Sequence, residues 1–233
     1  MATQKALEWV AGTFLSNDRV AFKEIWDKVD QHTLNQDAFG LPSRLIAKKF
    51  VFRLMYGGSA FSYAHDPDFM DVSTSVHFWK KVIDAFYKKY YGFAQWHKQI
   101  VQEAMQNGFL TMPTGRRYNF ELKRNYKGEL EAPETIIKNY PVQGLGADLM
   151  SIARVSFAKR FKKENIQGIL VNTVHDSIVA DILASEIDKV VKIFHEVFRD
   201  IPINFERLFG IKFTLPMSVE VKVGSNMYDL EEV

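Results

Sequence analysis

The chain has 233 residues, 47% hydrophobic and 14% aromatic, enough apolar content for one large globular unit or two small ones and too much for a disordered tail. Thirty Lys and Arg against 28 Asp and Glu leave a net charge of +2, which argues neither for nor against a polyanionic partner. The lack of cysteine excludes disulfides, thiolate nucleophiles and Cys-ligated zinc, and with no secretory-type start and no run of ~18 apolar residues the sequence reads as a soluble, cytoplasmic protein with no membrane partner.

Residues 19 to 107 read as helical, with helix-start signals at Asn17-Asp18, Ser43 and Ser73-Thr74 and a long amphipathic stretch in VHFWKKVIDAFYKKYYGFAQWHKQIVQEAMQNG. The period then changes. GFLTMPTGRRYNFEL alternates around Pro113-Thr114-Gly115, which predicts a hairpin, and a helix follows from about Pro133 to Glu164. GILVNTVHDSIVADIL reads as two short β-rich runs meeting at His175-Asp176-Ser177, followed by a helix from Ser185 and a last strand in MSVEVKV. The fold class is α+β, a helical insertion within a mixed body. Basic residues cluster at Arg44 to Arg53, which holds four cations and no acid, and around the turn carrying Arg116, Arg117, Lys123, Arg124 and Lys127.

Within the segment that opens at Pro42-Ser43 and closes at Gly57-Gly58, Arg44, Lys48, Phe52 and Tyr56 stand at four-residue spacing. Residues four apart share a helix face, and the stripe spans ~18 Å at ~1.5 Å per residue, comparable with an extended nucleoside triphosphate. A guanidinium and an ammonium one turn apart suit a polyphosphate, and the aromatics beyond them suit a sugar and a base. The plain alternative for such a segment in isolation is a solvated basic face over an apolar core.

The runs flanking His175-Asp176 are apolar enough to be core strands, which would fix Asp176 rigidly at the end of a sheet, as a metal ligand requires. A turn aspartate capping its own backbone is the common alternative. His-Asp also invites comparison with metal phosphohydrolases, but the other histidines, at 32, 65, 77, 97 and 195, form no second cluster of ligands in the sequence.

The R-x3-K-x3-F-x3-YG pattern, with the SAFSYA that follows, resembles the nucleotide-binding helix of family A DNA polymerases, the bacterial polymerase I class, and phage-type members in particular. Further stretches resemble the family in the same linear order. KVDQHTLNQDAFG is similar to its D-x-H segment, TGRRYNF to a GRR hairpin, and KNYPVQGLGADLM to a helix facing the minor groove. VHDS is similar to the VHDE metal hairpin, and MSVEVKVGSNMYD to the closing strand.

The resemblance implies a polymerase palm with an antiparallel sheet and a helical fingers insertion. Residues 1–30 would be the start of the palm with a remnant of the first motif, 31–107 the fingers and 108–233 the palm with the Asp176 hairpin. It implies that His32, Arg44 and Lys48 neutralise the triphosphate of a dNTP, with Lys48 donating a proton to pyrophosphate. Phe52, where some relatives have Tyr, implies discrimination against dideoxynucleotides, and Tyr56 with Glu8 would exclude a ribose 2′-hydroxyl. Arg116, Arg117, Asn139, Gln143 and His175 would lie along primer-template DNA, and Asp176 would bind magnesium, two ions in a completed site. Asp176, Lys48, Arg44 and Tyr56 are the catalytic set so implied.

The sequence departs from the family at several positions. Ser177 stands for the usual Glu, Thr135 for an Arg one turn before Asn139, and Val10 for an Arg. Lys5 to Trp9 aligns with the later part of the first palm motif, and counting back five from Glu8 gives Thr3 where the family has its other metal-binding Asp. Two ions need carboxylates from both sides. The expectation is therefore part of a split DNA-directed DNA polymerase, active with an N-terminal polymerase fragment that supplies the missing Asp and the thumb. A lone chain would then expose a sheet edge and apolar surface. A split gene, protein splicing and an engineered truncation all remain open as causes. The rival expectation is a catalytically inactive relic that binds nucleic acid or a partner.

Overall fold

The computed structural model describes residues 1–4, 6–124, 127–128 and 130–233. Lys5, the first residue of the Lys5–Trp9 run aligned above, lies outside the described residues. In chain order the elements begin with β1 (Ala2–Gln4), α1 (Leu7–Ser16), α2 (Arg19–Trp26), α3 (Gln31–Phe39) and α4 (Arg44–Met55). There follow α5 (Ala60–Ala64), α6 (Pro67–Met70), α7 (Val76–Lys89), α8 (Tyr91–Asn107), β2 (Phe109–Thr111), β3 (Arg117–Asn119), β4 (Lys123–Arg124) and β5 (Leu130–Glu131). The chain continues through α9 (Glu134–Lys163), β6 (Gly168–Val174), β7 (Ser177–Ile182), a 3-10 turn at Ala184–Glu186, α10 (Ile187–Arg199), α11 (Ile201–Phe209), β8 (Val219–Val223) and β9 (Glu231–Glu232). It is an α+β fold with antiparallel sheets, and it divides into two compact units, Ala11–Gln143 and Met1–Val10 with Gly144–Val233.

The Ala11–Gln143 unit is largely helical because short polar side chains start its helices. Asp18 accepts from Val20 N and Ala21 N, Asp30 from His32 N, and Ser43 from Ile46 N. Each such cap contributes about 1 kcal/mol. The last of the expected start signals falls two residues later than Ser73. Ser75 caps α7, while the Ser73 carbonyl accepts the indole N–H of buried Trp79 at 2.8 Å. Trp79 belongs to an aromatic core with Phe50, Tyr63, Phe69 and Phe86, all at most 1% exposed, and Tyr63 donates its hydroxyl to the Phe50 carbonyl at 2.7 Å. Burying one such ring stabilises the unit by about 1.5–3 kcal/mol, so this core fixes α4 from its inner face.

In the other unit β1 lies in the middle of a five-stranded antiparallel sheet of order β6-β7-β1-β8-β9. Ala2 pairs with Ile178 on one side and Val221 on the other, and all three are buried. The core continues through Phe194 and Phe198 of α10, which receive the Phe157 ring at 4.5 and 5.9 Å between centroids. Arg160 ties the same helices by donating to Glu196 and Asp200 at 2.5 Å each.

The expectation that both strands of the Asp176 hairpin are core strands is corrected here. β6 is an outer strand, and its Ile169, Val171 and Val174 are 66, 50 and 46% exposed. An apolar run does not distinguish a strand with neighbours on both sides from one at the edge of a sheet. Only β7, with Ile178 wholly buried, anchors the turn from below.

Candidate functional site

Within the Ala11–Gln143 unit, α4 is held at its start by the Ser43 cap and at its end by Gly57, whose φ of +85° suits glycine. A side chain there would also meet the Thr135 Cα at 3.0 Å. Arg44, Lys48, Phe52 and Tyr56 follow one another along one face. His32 of α3 joins them, its ring 5.7 Å from that of Phe52, and the Lys48 ammonium sits 5.8 Å from the Phe52 ring centre. Lys48, Phe52 and Tyr56 also line a cavity of about 670 Å3 together with Gly57, Gly58 and Thr135, a size usual for small-molecule sites.

The two leading cations differ in state. Arg44 donates from Nε to Asp30 at 2.6 Å, and Asp30 also accepts from the Thr33 hydroxyl and His32 N. These bonds, that of Arg44 above all, hold the Asp30 carboxyl down at about 2. Lys48 is exposed and meets no carboxylate among the described residues, whereas its neighbour Lys49 pairs with Asp68 at 2.7 Å. The D-x-H resemblance contained Asp30 but gave it no role; the structure makes it the carboxylate that holds Arg44. Its signal was in the sequence nonetheless, as the acid two positions before His32.

His32 is 5% exposed, and its Nδ1 is buried without a hydrogen-bond partner among the described residues. Burial, then the Arg44 charge, push its pKa down to about 4. At neutral pH it is therefore a neutral imidazole, able to offer one N–H rather than a charge. The folded protein consequently binds fewer protons than the unfolded chain between pH 6.5 and 4, and stability falls as pH drops through that window. His97, buried and pushed down to about 3, acts in the same direction, and Asp30 adds its own loss only as pH falls below its ordinary 3.8 toward 2. Thermal unfolding of this unit should show a midpoint that falls between pH 7 and 4, with a shallower fall in His32→Gln. A midpoint that is flat across that range would overturn the assignment.

Asn139 and Gln143 lie one turn apart on α9 with Thr135 one turn before, so the three share a face, half-buried to exposed. The β2–β3 hairpin sits beside the same part of α9, with the Tyr118 and Tyr140 rings 5.4 Å apart. Arg116 and Arg117 are both exposed on it, and the Arg117 guanidinium lies 3.5 Å from the Phe109 ring centre.

In the Met1–Val10 and Gly144–Val233 unit, His175 and Asp176 form the two-residue turn between β6 and β7, with His175 left-handed at φ +51°. Asp176 is half-buried and accepts from the Ser177 hydroxyl at 3.2 Å. That hydroxyl is in turn 2.9 Å from the Thr3 hydroxyl of β1, so a neutral pair stands beside Asp176. Glu8 lies in the first turn of α1. Among the described residues no group of three or more His, Asp or Glu side chains is placed to hold a metal ion. Asp176 with two hydroxyls is not by itself a donor set for two divalent cations. No helix among the described residues is long and apolar enough to cross a membrane.

Residues 15–229 match the family model for DNA polymerase family A. The chain is 26% identical over 183 residues to DNA polymerase I of Chloroflexus aurantiacus, covering 78% of this chain and 18% of that protein. It is 27% identical over 182 residues to DNA polymerase I of Aquifex aeolicus, covering 73% and 30%, and 28% identical over 179 residues to the DNA polymerase of Mycobacterium phage D29, covering 74% and 26%. It thus spans less than a third of the length of each of these relatives. Its fold is similar to that of the POL domain of Pol1 from M. smegmatis in complex with DNA primer-template and dNTP, with a TM-score of 0.76 at 21% identity, covering 94% of this chain and 38% of that one.

Proposed function

Because the chain belongs to DNA polymerase family A, we propose that it forms the fingers and most of the palm of a DNA-directed DNA polymerase that transfers nucleotides from dNTPs to a primer end. The observation that carries this reading is the α4 face. There Lys48, which meets no carboxylate among the described residues, and His32, whose buried Nδ1 has no hydrogen-bond partner among them, stand beside Phe52, and Arg44, held by the Asp30 carboxylate, lies one turn before Lys48. Cations and a neutral N–H donor in that order suit a triphosphate, whose charge would take Arg44 over from Asp30. Phe52 would pack against the sugar. The exclusion of ribose is assigned to Tyr56, at the foot of α4, and to Glu8, in the first turn of α1. Arg116, Arg117, Asn139 and Gln143 are assigned to primer-template DNA, since amides can both donate and accept at minor-groove base edges that differ little, and His175 is assigned to the same DNA.

Asp176 is assigned to magnesium, which when bound would stabilise charge on the transferring phosphoryl group. The described residues do not complete a two-ion cage, so the reading includes a second carboxylate, together with a thumb, from a complementing polymerase segment, which a phage-type split enzyme would carry on a separate polypeptide. Primer extension with this chain alone and with a candidate complement tests it. Extension is expected only with the complement, and robust extension by the chain alone would remove that requirement. The single carboxylate at the Asp176 turn favours a second reading, a relic that holds primer-template without catalysis. Tight primer-template binding with no extension in any combination would select it.

A further inference from the structure

Within the Ala11–Gln143 unit, four polar side chains that no step of the proposed reaction uses are gathered beneath α3. Glu24 of α2, Asn35 of α3 and Tyr90, which joins α7 to α8, are 7, 0 and 0% exposed, and Lys89 reaches in beside them from the end of α7. Lys89 donates to one Glu24 oxygen at 3.0 Å and to the Asn35 carboxamide oxygen at 2.8 Å. The Tyr90 hydroxyl lies 2.8 Å from that same Asn35 oxygen and 2.8 Å from the other Glu24 oxygen. Burial, then the Glu24 charge, push the Tyr90 pKa well above the ordinary tyrosine value, so its hydroxyl stays a donor. The junction that carries Tyr90 is itself pinned to α2. Asp18, 1% exposed at the start of that helix, accepts from Gly92 N at 2.7 Å, and a side chain at Gly92 would meet the Asp18 Cα at 2.6 Å.

We infer that Glu24, Lys89, Tyr90 and Asn35 form a positioning network that sets the register of α3, and so places His32 against Phe52 and Asp30 against Arg44. The apolar contact of α3 is Phe39 against Phe50 and Phe86, and apolar contact is non-directional, so by itself it would let a short helix slide or turn. A buried amide meets two fixed donors in one register only. Asn35 stands on the buried face of α3 between Phe39 and His32, one turn from each. A shift of α3 by a single residue would turn it by ~100°, carrying the His32 ring off Phe52 and out of its buried site. The hold runs through one atom. Asn35 Oδ1 receives both Lys89 and Tyr90, while its Nδ2 has no partner among the described residues. Loss of that oxygen would free α3 and leave the Lys89–Glu24 ion pair in place. The consequence for nucleotide binding rests on the function proposed above, whereas the register of α3 does not.

Titration of His32 by nuclear magnetic resonance tests the network without any polymerase readout, because a variant that merely loses stability keeps the ring where it is. The charges that face His32 are Asp30 beside it and Arg44 and Lys48 on α4, and with burial they set a wild-type midpoint of about 4. In Asn35→Leu, which keeps the volume and removes the oxygen, His32 should bind protons ~10-fold or more tightly as its ring reaches water. Val82→Ala, which opens a cavity elsewhere on α7, should leave the midpoint at the wild-type value. Should Asn35→Leu not fold, Tyr90→Phe, which lacks a single oxygen, decides by a shift in the same direction. An unchanged midpoint in the folded variant, or an equal rise in Val82→Ala, would overturn the inference. In the complemented enzyme, Asn35→Leu should raise KM for dNTP about ten-fold with kcat within about two-fold, since groups facing the phosphates are displaced rather than removed. A His32 shift with unchanged dNTP dependence, or with no extension in any combination, would count against the polymerase reading and leave the network standing.

Discussion

Asp176→Ala lowers primer extension by the complemented enzyme about 1,000-fold or more, with little change in fold. Loss of a single preorganised donor to a developing oxyanion already costs ~100- to 1,000-fold, and a carboxylate that helps to hold a divalent ion carries a full charge in place of a dipole. The structural side of the expectation follows from where Asp176 sits. It occupies a turn, half-buried, and its described contact is one hydroxyl bond from Ser177. Stability should therefore change by no more than about 1 kcal/mol, as is usual at surface turns. Single-turnover incorporation together with chemical denaturation separates the two effects. Extension within ten-fold of wild type in a folded Asp176→Ala variant would remove Asp176 from the metal assignment, and Asp176→Asn, which keeps the shape and the turn, should behave like alanine.

Lys48→Ala is expected to reduce kcat/KM for dNTP about 100- to 1,000-fold, more than the same change at Arg44. The reason is the difference in pairing. Lys48 has no carboxylate to give up among the described residues, so its attraction to a triphosphate is undiminished, while Arg44 must exchange Asp30 for phosphate. Two unit charges ~4 Å apart interact by ~4 kcal/mol at an effective dielectric constant of ~20, which sets the scale of the loss. Lys48→Arg should restore part of it, because the charge is kept while the compact ammonium is lost. Lys80→Ala, at an exposed pair with Asp84 elsewhere in the same unit, serves as the control for general charge effects. A Lys48→Ala enzyme with unchanged dNTP dependence would separate the α4 stripe from substrate binding.

Much of the architecture was legible where local chemistry decides it. Ser43 and Gly57 mark α4 because a hydroxyl cap and a left-handed turn are local requirements, and the same holds for Pro113–Gly115 between β2 and β3 and for the His175-Asp176 turn. What was not legible depends on partners distant in sequence. The apolar run of β6 looks the same at a sheet edge as in its middle, so its exposure emerges only with the strand order. The place of β1 beside the Asp176 hairpin followed from the family resemblance alone, since a three-residue strand carries almost no periodicity, and its pairing with β8 on the other side had no signal in the sequence. Asp30 was visible as an acid near His32, but its hold on Arg44 joins residues 14 apart through the packing of α3 on α4. The site thus declared its cations in the sequence and hid the carboxylate that restrains one of them.

The position of β1 also governs the order in which this chain can assemble. Its partners on β7 and β8 lie 174 to 221 residues downstream, so during synthesis the strand leaves the ribosome long before either neighbour exists. The Ala11–Gln143 stretch emerges meanwhile with a contact set of its own. The Ala11–Gln143 unit can therefore take shape first, and the sheet closes around β1 late, as the slow non-local step.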